Sequence, residues 1–335
     1  MHFFTLDSDD YVDSYPTWGK LAVADEVCDP FCCTSFWQLA FHEAFNPRRR
    51  LLIEDTPNGV VAFAEKVFPS GRTILTPIEA LWFFGCPVLG FDGLDLLEAV
   101  MRFAASAYAP GFPEILLGGL RSDGSLLPRI RRRFAPHFEF RMHAPGQEVQ
   151  CAASLAGGVD GFLSRRPAHL RKNLRNAERK AKAADIRFLR LLPQTLDEAD
   201  AIYSRMLAVE ERSWKGLNDC GMTNPPALEF YRAMLRRLAL VGAARVILAR
   251  AGEQDIGFIF GGLCEGIYRG QQFSFDDAWA RFSVGSLMQM EQVRWLCEEG
   301  VRRYDLGPLL SRRMGYKRHW TELGFPVSSW FLIKK

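Results

Sequence analysis

The sequence predicts a mixed α/β protein built from two copies of one module. Three observations predict it. A β-hairpin signal stands in each half, at Arg50–Val67 and again at Arg245–Leu263. In each half the hairpin is followed by a stretch with apolar residues at helical spacing, and then by a short apolar run of strand type. The two sets are also spaced alike: Ile256 lies 196 residues after Val60, and Leu306-Gly307 lies 189 after Leu117-Gly118, as an internal repeat requires. The expected domains are residues 1–150 and 151–335.

In the first half, Cys33–Phe45 reads as a helix that ends before Asn46-Pro47, because proline disfavours the α conformation in the residue before it. Arg50–Ile53 and Val60–Val67 are β-prone, and Thr56-Pro57-Asn58-Gly59 between them is turn chemistry, with Asn-Gly expected to supply positive φ. Leu94, Leu97, Val100, Met101 and Ala104 recur at helical spacing, so Leu94–Ala107 reads as a helix and Pro113–Leu120 as a buried strand. In the second half, Arg245–Arg250 and Ile256–Leu263 are strands around the turn Ala251–Asp255, and Ile267–Phe275 is a third strand. Val284–Glu299 is a helix stopped by Gly300, and Val301–Leu306 is the strand after it.

Between the two halves, Leu170, Leu174, Ala177, Ala181 and Ala184 form one apolar stripe, which predicts a helix with one buried face. Arg171, Arg175, Arg179 and Lys182 form a basic stripe beside it, and Lys172 and Lys180 widen it. Arg165–Arg190 holds ten Lys or Arg and two acids, a net +8 in a chain whose total is +3. Such a face is a solvated surface, a seat for the phosphates of a cofactor or substrate, or a nucleic-acid surface.

With 335 residues, 48% hydrophobic and 24% charged, the chain has enough apolar material for cores in two domains, which excludes a disordered or fibrous class. The longest apolar candidate, Ala80–Phe91, falls short of the roughly 18 residues of a membrane span and contains glycines and a proline. Met1–Asp10 carries three aspartates and no basic residue, unlike a secretory leader, so a cytoplasmic location is expected. The eight cysteines form no C-x-x-C pair and read as reduced core thiols, while the six scattered histidines make no metal-ligand spacing. No G-x-S-x-G elbow or phosphate-binding G-x-x-x-x-G-K-[ST] loop is present, and Cys32-Cys33 sits in an apolar stretch rather than an electropositive loop.

The segment that carries chemistry is Arg281-Phe282-Ser283-Val284-Gly285-Ser286, which follows the strand ending at Phe275 and opens a helix. A helix N-terminus has free N–H groups and a partial positive charge, and so suits a pyrophosphate. Gly285 lets backbone approach phosphate, Ser283 or Ser286 caps or donates, and Arg281 adds a charged hydrogen bond. With its surroundings this loop resembles the acetyl-CoA loop of the GCN5-related N-acetyltransferases, the GNAT superfamily, whose usual form is Arg/Gln-x-x-Gly-x-Gly/Ala. The spacing here is one residue longer and lacks the second glycine. Five pieces, in order, resemble the CelD-like or acetyltransferase type 6 subgroup: Arg165–Arg175, Glu210–Gly216, Ser283–Gly285, Tyr304–Gly307 and Tyr316–Trp320. That subgroup is similar in its two-module plan to the Fem-type aminoacyl transferases.

The resemblance implies tandem GNAT-like modules, each a mixed, mostly antiparallel sheet flanked by helices, with an acyl-CoA site in the second module and none in the first. It implies direct attack by an amine on the thioester of acetyl-CoA or another acyl-CoA, with no covalent acyl-enzyme and no metal. Backbone of Gln272, Phe273 and Ser274 would meet the carbonyl and pantetheine, and Arg281, Ser283, Val284, Gly285 and Ser286 the pyrophosphate. Tyr316 would protonate the departing thiolate. Glu210 or, preferably, Glu211 would act as base beside Trp214, which walls the acceptor pocket. Asp305, an acid in an apolar strand, would orient the amine or pair with Lys317 or Arg318, and Lys317 would contact substrate. His319 reads as a packing or surface residue. The acceptor would be the amine of a small molecule, an amino sugar or a peptide. Two other readings stay open: transfer from aminoacyl-tRNA, with the basic helix on RNA phosphates, and a non-catalytic binding protein that keeps the fold.

Overall fold

The computed structural model describes residues 1–5, 17–27, 29–144, 148–309 and 312–335. In chain order the elements are α1 (Trp18–Ala24), α2 (Ser35–Phe45), β1 (Leu51–Thr56), β2 (Gly59–Val67), β3 (Thr73–Pro77), β4 (Val88–Gly90), α3 (Gly93–Ala107), β5 (Glu114–Arg121), α4 (Leu126–Phe134), β6 (Phe138–Met142) and β7 (Glu148–Ser154). They continue with α5 (Gly158–Ser164), α6 (Ala168–Ala183), β8 (Ile186–Leu191), α7 (Leu196–Glu211), α8 (Ala227–Leu240), β9 (Ala244–Ala251), β10 (Gln254–Cys264), β11 (Ile267–Phe275), α9 (Val284–Glu298), β12 (Arg303–Pro308), α10 (Lys317–Trp320) and β13 (Leu323–Lys334). Two units result, Met1–Gln150 with Phe325–Lys335, and Cys151–Gly324. The expected second module ran to residue 335. The last strand instead joins the first unit, because β13 pairs with β5 (Trp330 opposite Leu117, Leu332 opposite Ile115) and buries Leu332 in that unit's core.

In the first unit the strand order is β1-β2-β3-β5-β13, with β4 on β2 and β6 on β13. The hairpin β1/β2 forms as expected but turns differently. Thr56 pairs with Gly59 around the two residues Pro57 and Asn58, and neither Asn58 nor Gly59 has a positive φ. Thr56 Oγ1 holds the turn instead, accepting from the Asn58 N–H and donating to the Gly59 carbonyl. Glycine stands at 59 for space, since a Cβ would lie 2.9 Å from Asp92 Cβ.

The parallel strands β3 and β5 pair only at Ile74/Glu114 and Leu75/Ile115. Where they part, residues 78–87 fold over the gap. A Cβ on Gly118 would lie 3.0 Å from Phe83 Cβ, and one on Gly119 2.5 Å from the Gly85 carbonyl carbon. Glu79 ties this segment down. Its fully buried carboxylate accepts from the N–H groups of Leu81, Trp82, Phe83 and Phe84, and its own N–H donates to Gln38 Oε1.

In the second unit the order is β7-β12-β11-β10-β9-β8. Strands β8 to β11 run antiparallel, whereas β11 and β12 are parallel, which demands a crossover; α9 supplies it. Val284, Leu287, Met288, Met290, Val293 and Leu296 of α9 are buried against the sheet, and Gly300 ends it at φ +71°. The β9/β10 turn is shorter than expected, because Ala251 pairs with Gln254 and only Gly252-Glu253 lie between, with Gly252 at φ +58°. Leu170, Leu174, Ala177 and Ala181 of α6 are buried as their spacing predicts. No disulfide joins the described cysteines; Cys220 is exposed and Cys297 half-buried, against the expected core positions, and Cys28 lies outside the described residues.

Glu79→Ala leaves four backbone N–H groups, one buried and three partly so, without their acceptor, so the first unit is expected to lose about 3 kcal/mol of stability, measured by urea denaturation.

Candidate active site

Strands β11 and β12 pair at three positions only, Ile267/Arg303, Tyr268/Tyr304 and Arg269/Asp305. Beyond them β11 runs on for six residues without that partner. The β10/β11 register also slips here: Phe260 faces Gln272 and Gly261 faces Gly270, so Gln271 is an extra, bulged residue. A bulge bends its strand, which turns β11 away from β12. The gap is a cavity of about 530 Å³ lined by Gly270–Phe275, Tyr304, Leu306, Gln289 of α9, Tyr316 and Lys317, and by Trp214 and Lys215 beyond α7.

Parting the strands strips carbonyls of their ladder partners, and buried cations replace those partners. The Arg269 guanidinium donates to the Gly270 carbonyl, Lys215 Nζ to the Phe273 carbonyl (2.9 Å), and Lys317 Nζ to the Pro308 carbonyl (2.6 Å). Lys215 also donates to Gln272 Oε1 (2.7 Å), and Gln272 Nε2 donates to the Tyr231 hydroxyl (2.7 Å). Behind Lys215, 3.9 Å away, lies the fully buried carboxylate of Glu210, which also accepts from the Met222 N–H (3.2 Å). Burial pushes the Lys215 ammonium below its ordinary pKa, against the pull of Glu210. Ser274 Oγ and Gln271 Nε2, both on cavity-lining residues, are buried and have no hydrogen-bond partner among the described residues.

Tyr316 packs edge-on against the Phe273 ring at 5.7 Å. Its hydroxyl has no hydrogen bond among the described residues, and burial pushes its pKa up to about 12, opposed by the nearby Arg269 guanidinium. A second cavity, about 220 Å³, shares Phe273, Phe275, Gln289 and Tyr316 with the first and reaches Ser283, Gly285, Ser286 and Trp320. The start of α9 is bare: Ser283 sits at φ +58° and no side chain caps the helix. A Cβ on Gly285 would lie 3.0 Å from the Phe275 ring and 3.2 Å from that of Phe273, so glycine lets the helix close on β11. Val284 is buried and Arg281 exposed, its guanidinium over the Phe282 ring at 4.9 Å.

Two of the expected catalytic residues are elsewhere. Glu211 is exposed and does not line the cavity, because successive helical residues point about 100° apart and Glu210 takes the inward position. Asp305 lies off the cavity as well. Its neighbours Tyr304 and Leu306 line the cavity, so alternation along β12 sends Asp305 to the other face, where Arg303, two residues away, grips it with two 2.7 Å hydrogen bonds. Arg303 is thus a partner that the sequence reading did not name. His319 is exposed, edge-on to His169 at 5.2 Å. The sequence reading assigned no role to Lys215, Gln271 or Gln289. The one signal for Gln289 was a polar residue amid Leu287, Met288 and Met290.

With this geometry in view, the comparisons with known proteins are specific. Residues 168–318 match the acetyltransferase (GNAT) domain family, Acetyltransf_6. The matched GNAT segment spans the splayed strands, the bare helix start and Tyr316. No curated protein matches the sequence. Among solved structures, a conserved protein of unknown function from Bacteroides thetaiotaomicron is similar over 99% of both chains, with TM-score 0.65 and 12% identity. FemX is similar over 99% of this chain and 97% of its own, with TM-score 0.62 and 10% identity. L-PGS from Bacillus licheniformis is similar over 97% of this chain and 93% of its own, with TM-score 0.58 and 10% identity. At such identities the likeness is one of fold, and the mixed α/β, Fem-like plan expected from the sequence is the one observed. No helix among the described residues is long and apolar enough to cross a membrane, and no cluster of their His, Cys, Asp and Glu side chains could hold a metal ion.

Lys215→Met removes the Phe273 carbonyl's donor and leaves Glu210 charged and buried. It should cost about 3 kcal/mol, and a second substitution, Glu210→Gln, should restore part of the loss; denaturation of the single and double variants measures both.

Proposed function

We propose that the second unit is an acyl-CoA-dependent N-acyltransferase, acetyl-CoA being the first donor to test, that passes its acyl group directly to the amine of a small molecule, amino sugar or peptide. One observation carries the reading: the cavity between β11 and β12 opens through shared residues into a groove that ends at an uncapped helix N-terminus. The residues present fit the donor. Bare N–H groups at Val284–Ser286 suit a pyrophosphate, Phe273 and Phe275 suit the apolar part of pantetheine, and the orphaned Ser274 Oγ and Gln271 Nε2 offer polar contacts beside the reacting carbonyl.

Bound there, the thioester supplies the activated acyl group. The chain's own residues do the rest. Lys215 and Arg269 occupy the freed carbonyls of β11, which leaves that strand's unpaired N–H groups for a carbonyl oxygen. Tyr316, protonated at neutral pH and free at its hydroxyl, donates to the departing sulfur. The amine loses one proton and the sulfur gains one, so the phenol ends the cycle unchanged. Trp214 stands at the cavity mouth as a wall for the acceptor, and Lys317 holds the end of β12. Neither Glu211 nor Asp305 takes part. In the first unit Phe83 and its neighbours fill the corresponding gap, so we assign that unit no donor site. Use of acyl-CoA fits a cytoplasmic location.

Thermal unfolding with and without acetyl-CoA, longer acyl-CoAs and free CoA tests the reading, since a ligand of the native state raises the midpoint by mass action. The shift is expected in the native protein and should vanish in a folded Gly285→Asp variant, whose side chain meets Phe273 and Phe275 and repels phosphate. Tyr316→Phe should keep the shift and lower kcat about 100-fold. No shift with any CoA at millimolar concentration overturns the reading in favour of transfer from aminoacyl-tRNA, which the cationic face of α6 would suit, or of a non-catalytic role.

A further inference from the structure

An attacking amine must lose a proton, yet among the described residues no His, Asp or Glu lines the cavity. The titratable side chains there are Lys215, Lys317, Tyr304 and Tyr316. Tyr316 faces the departing sulfur in the reading above. Tyr304 donates its hydroxyl to Gln289 Oε1, and burial pushes its pKa up. Lys317 is buried and holds the end of β12 at the Pro308 carbonyl. Lys215 is the group left, and 18% of its side chain is exposed. Its two hydrogen bonds, to Gln272 Oε1 and the Phe273 carbonyl, use two hydrogens, which a neutral amine also carries. Loss of the third proton therefore frees a lone pair and strips neither acceptor of its donor.

The groups around Nζ suit a proton that comes and goes. Glu210 of α7 lies 3.9 Å away, too far for a hydrogen bond, so it attracts the proton without taking it. Nor can Glu210 reach the cavity. It is fully buried, and a Cβ on Gly221 in the cavity wall would lie 2.3 Å from Glu210 Oε1, so the wall closes over the carboxylate. Cys220 favours the ammonium as Glu210 does, and burial outweighs both. From β11 the Phe273 ring lies 5.9 Å from Nζ, and from α8 the Tyr231 hydroxyl meets Gln272 rather than Nζ.

We propose that Lys215, in its neutral form, takes the proton from the attacking amine, and that Glu210 behind it stabilises the ammonium so formed; the assignment rests on the acyl-transfer reading above. The amine lone pair forms the bond to the thioester carbon, and the C–S bond breaks with its pair on sulfur. The sulfur takes the Tyr316 proton, and the nitrogen's proton passes to Lys215. Lys215 then returns that proton through solvent to the Tyr316 phenolate, which restores both groups.

The test follows thiol release from acetyl-CoA against pH, with glycinamide, glucosamine and glycylglycine as probe amines, beside calorimetric binding of acetyl-CoA. In the native chain kcat/KM should rise with pH through a limb below the ordinary lysine range. Glu210→Gln removes the charge that favours the ammonium and should move this limb down by about one pH unit, whereas a limb owed to the acceptor's own ammonium stays in place. Lys215→Arg keeps a cation for the Phe273 carbonyl but cannot lose its proton; it should bind acetyl-CoA within about twofold of the native protein. Its kcat should fall about 100-fold. Trace labelling with acetic anhydride, read at Lys215 by mass spectrometry, follows the same titration without an acceptor, and half-labelling should come at lower pH than for the exposed Lys172. Native kcat in a folded Lys215→Arg variant, a limb that Glu210→Gln leaves in place, or labelling of Lys215 that titrates with Lys172 overturns the proposal. An acetyl group on Lys215 after incubation with acetyl-CoA alone overturns it in favour of a covalent acyl-lysine. With acetyl-CoA bound, each of these outcomes leaves the donor reading standing, whereas failure of the native protein to bind any CoA overturns that reading and this assignment together.

Discussion

Everything at the candidate site depends on two parallel strands that stop pairing after three residues. Parting β11 from β12 frees backbone groups in the middle of a sheet, and buried carbonyls without donors are costly. The chain meets this cost with cations: Arg269 on Gly270, Lys215 on Phe273, Lys317 on Pro308. Arg269 and Lys317 are buried and Lys215 is partly so, and such cations need compensation, which for Lys215 is Glu210 and the side chain of Gln272. Carbonyls are quieted in this way, but a cation cannot satisfy an N–H group. On the proposed reading, the N–H groups of the parted strand then meet an oxygen gaining negative charge.

The first unit poses the same problem and solves it differently. There β3 and β5 part after two pairs, and the chain's own residues 78–87 occupy the opening, with Glu79 accepting four backbone N–H groups at once. One carboxylate organises the loop that fills one gap. Three cations hold open the other. The two units thus hold one packed opening and one cavity, and a few charged residues mark the difference.

Local periodicity made much of this legible. The stripe of α6, the apolar pattern of α9 with Gly300 after it, and both hairpins depend on contacts a few residues apart, and they stand where spacing puts them. The misreadings have physical reasons of their own. Glu210 and Glu211 are equivalent in composition, and only the phase of α7 at its last turn decides which is buried. Asp305 is buried, as an acid in an apolar strand suggests, but Arg303 at i−2 shares its face and claims it; alternation alone would have shown that both point away from Tyr304 and Leu306. Lys215 gave no local signal, because its partners Gln272 and Phe273 lie more than fifty residues on. The placement of β13 with the first unit likewise rests on strand pairing across some two hundred residues.

The most direct test of this account is the stoichiometry of CoA binding to the intact chain by titration calorimetry. One open gap and one filled gap predict one CoA per chain, lost on Gly285→Asp and untouched by substitution of Phe83. Two equivalents per chain, or one that persists in a folded Gly285→Asp variant, would contradict it.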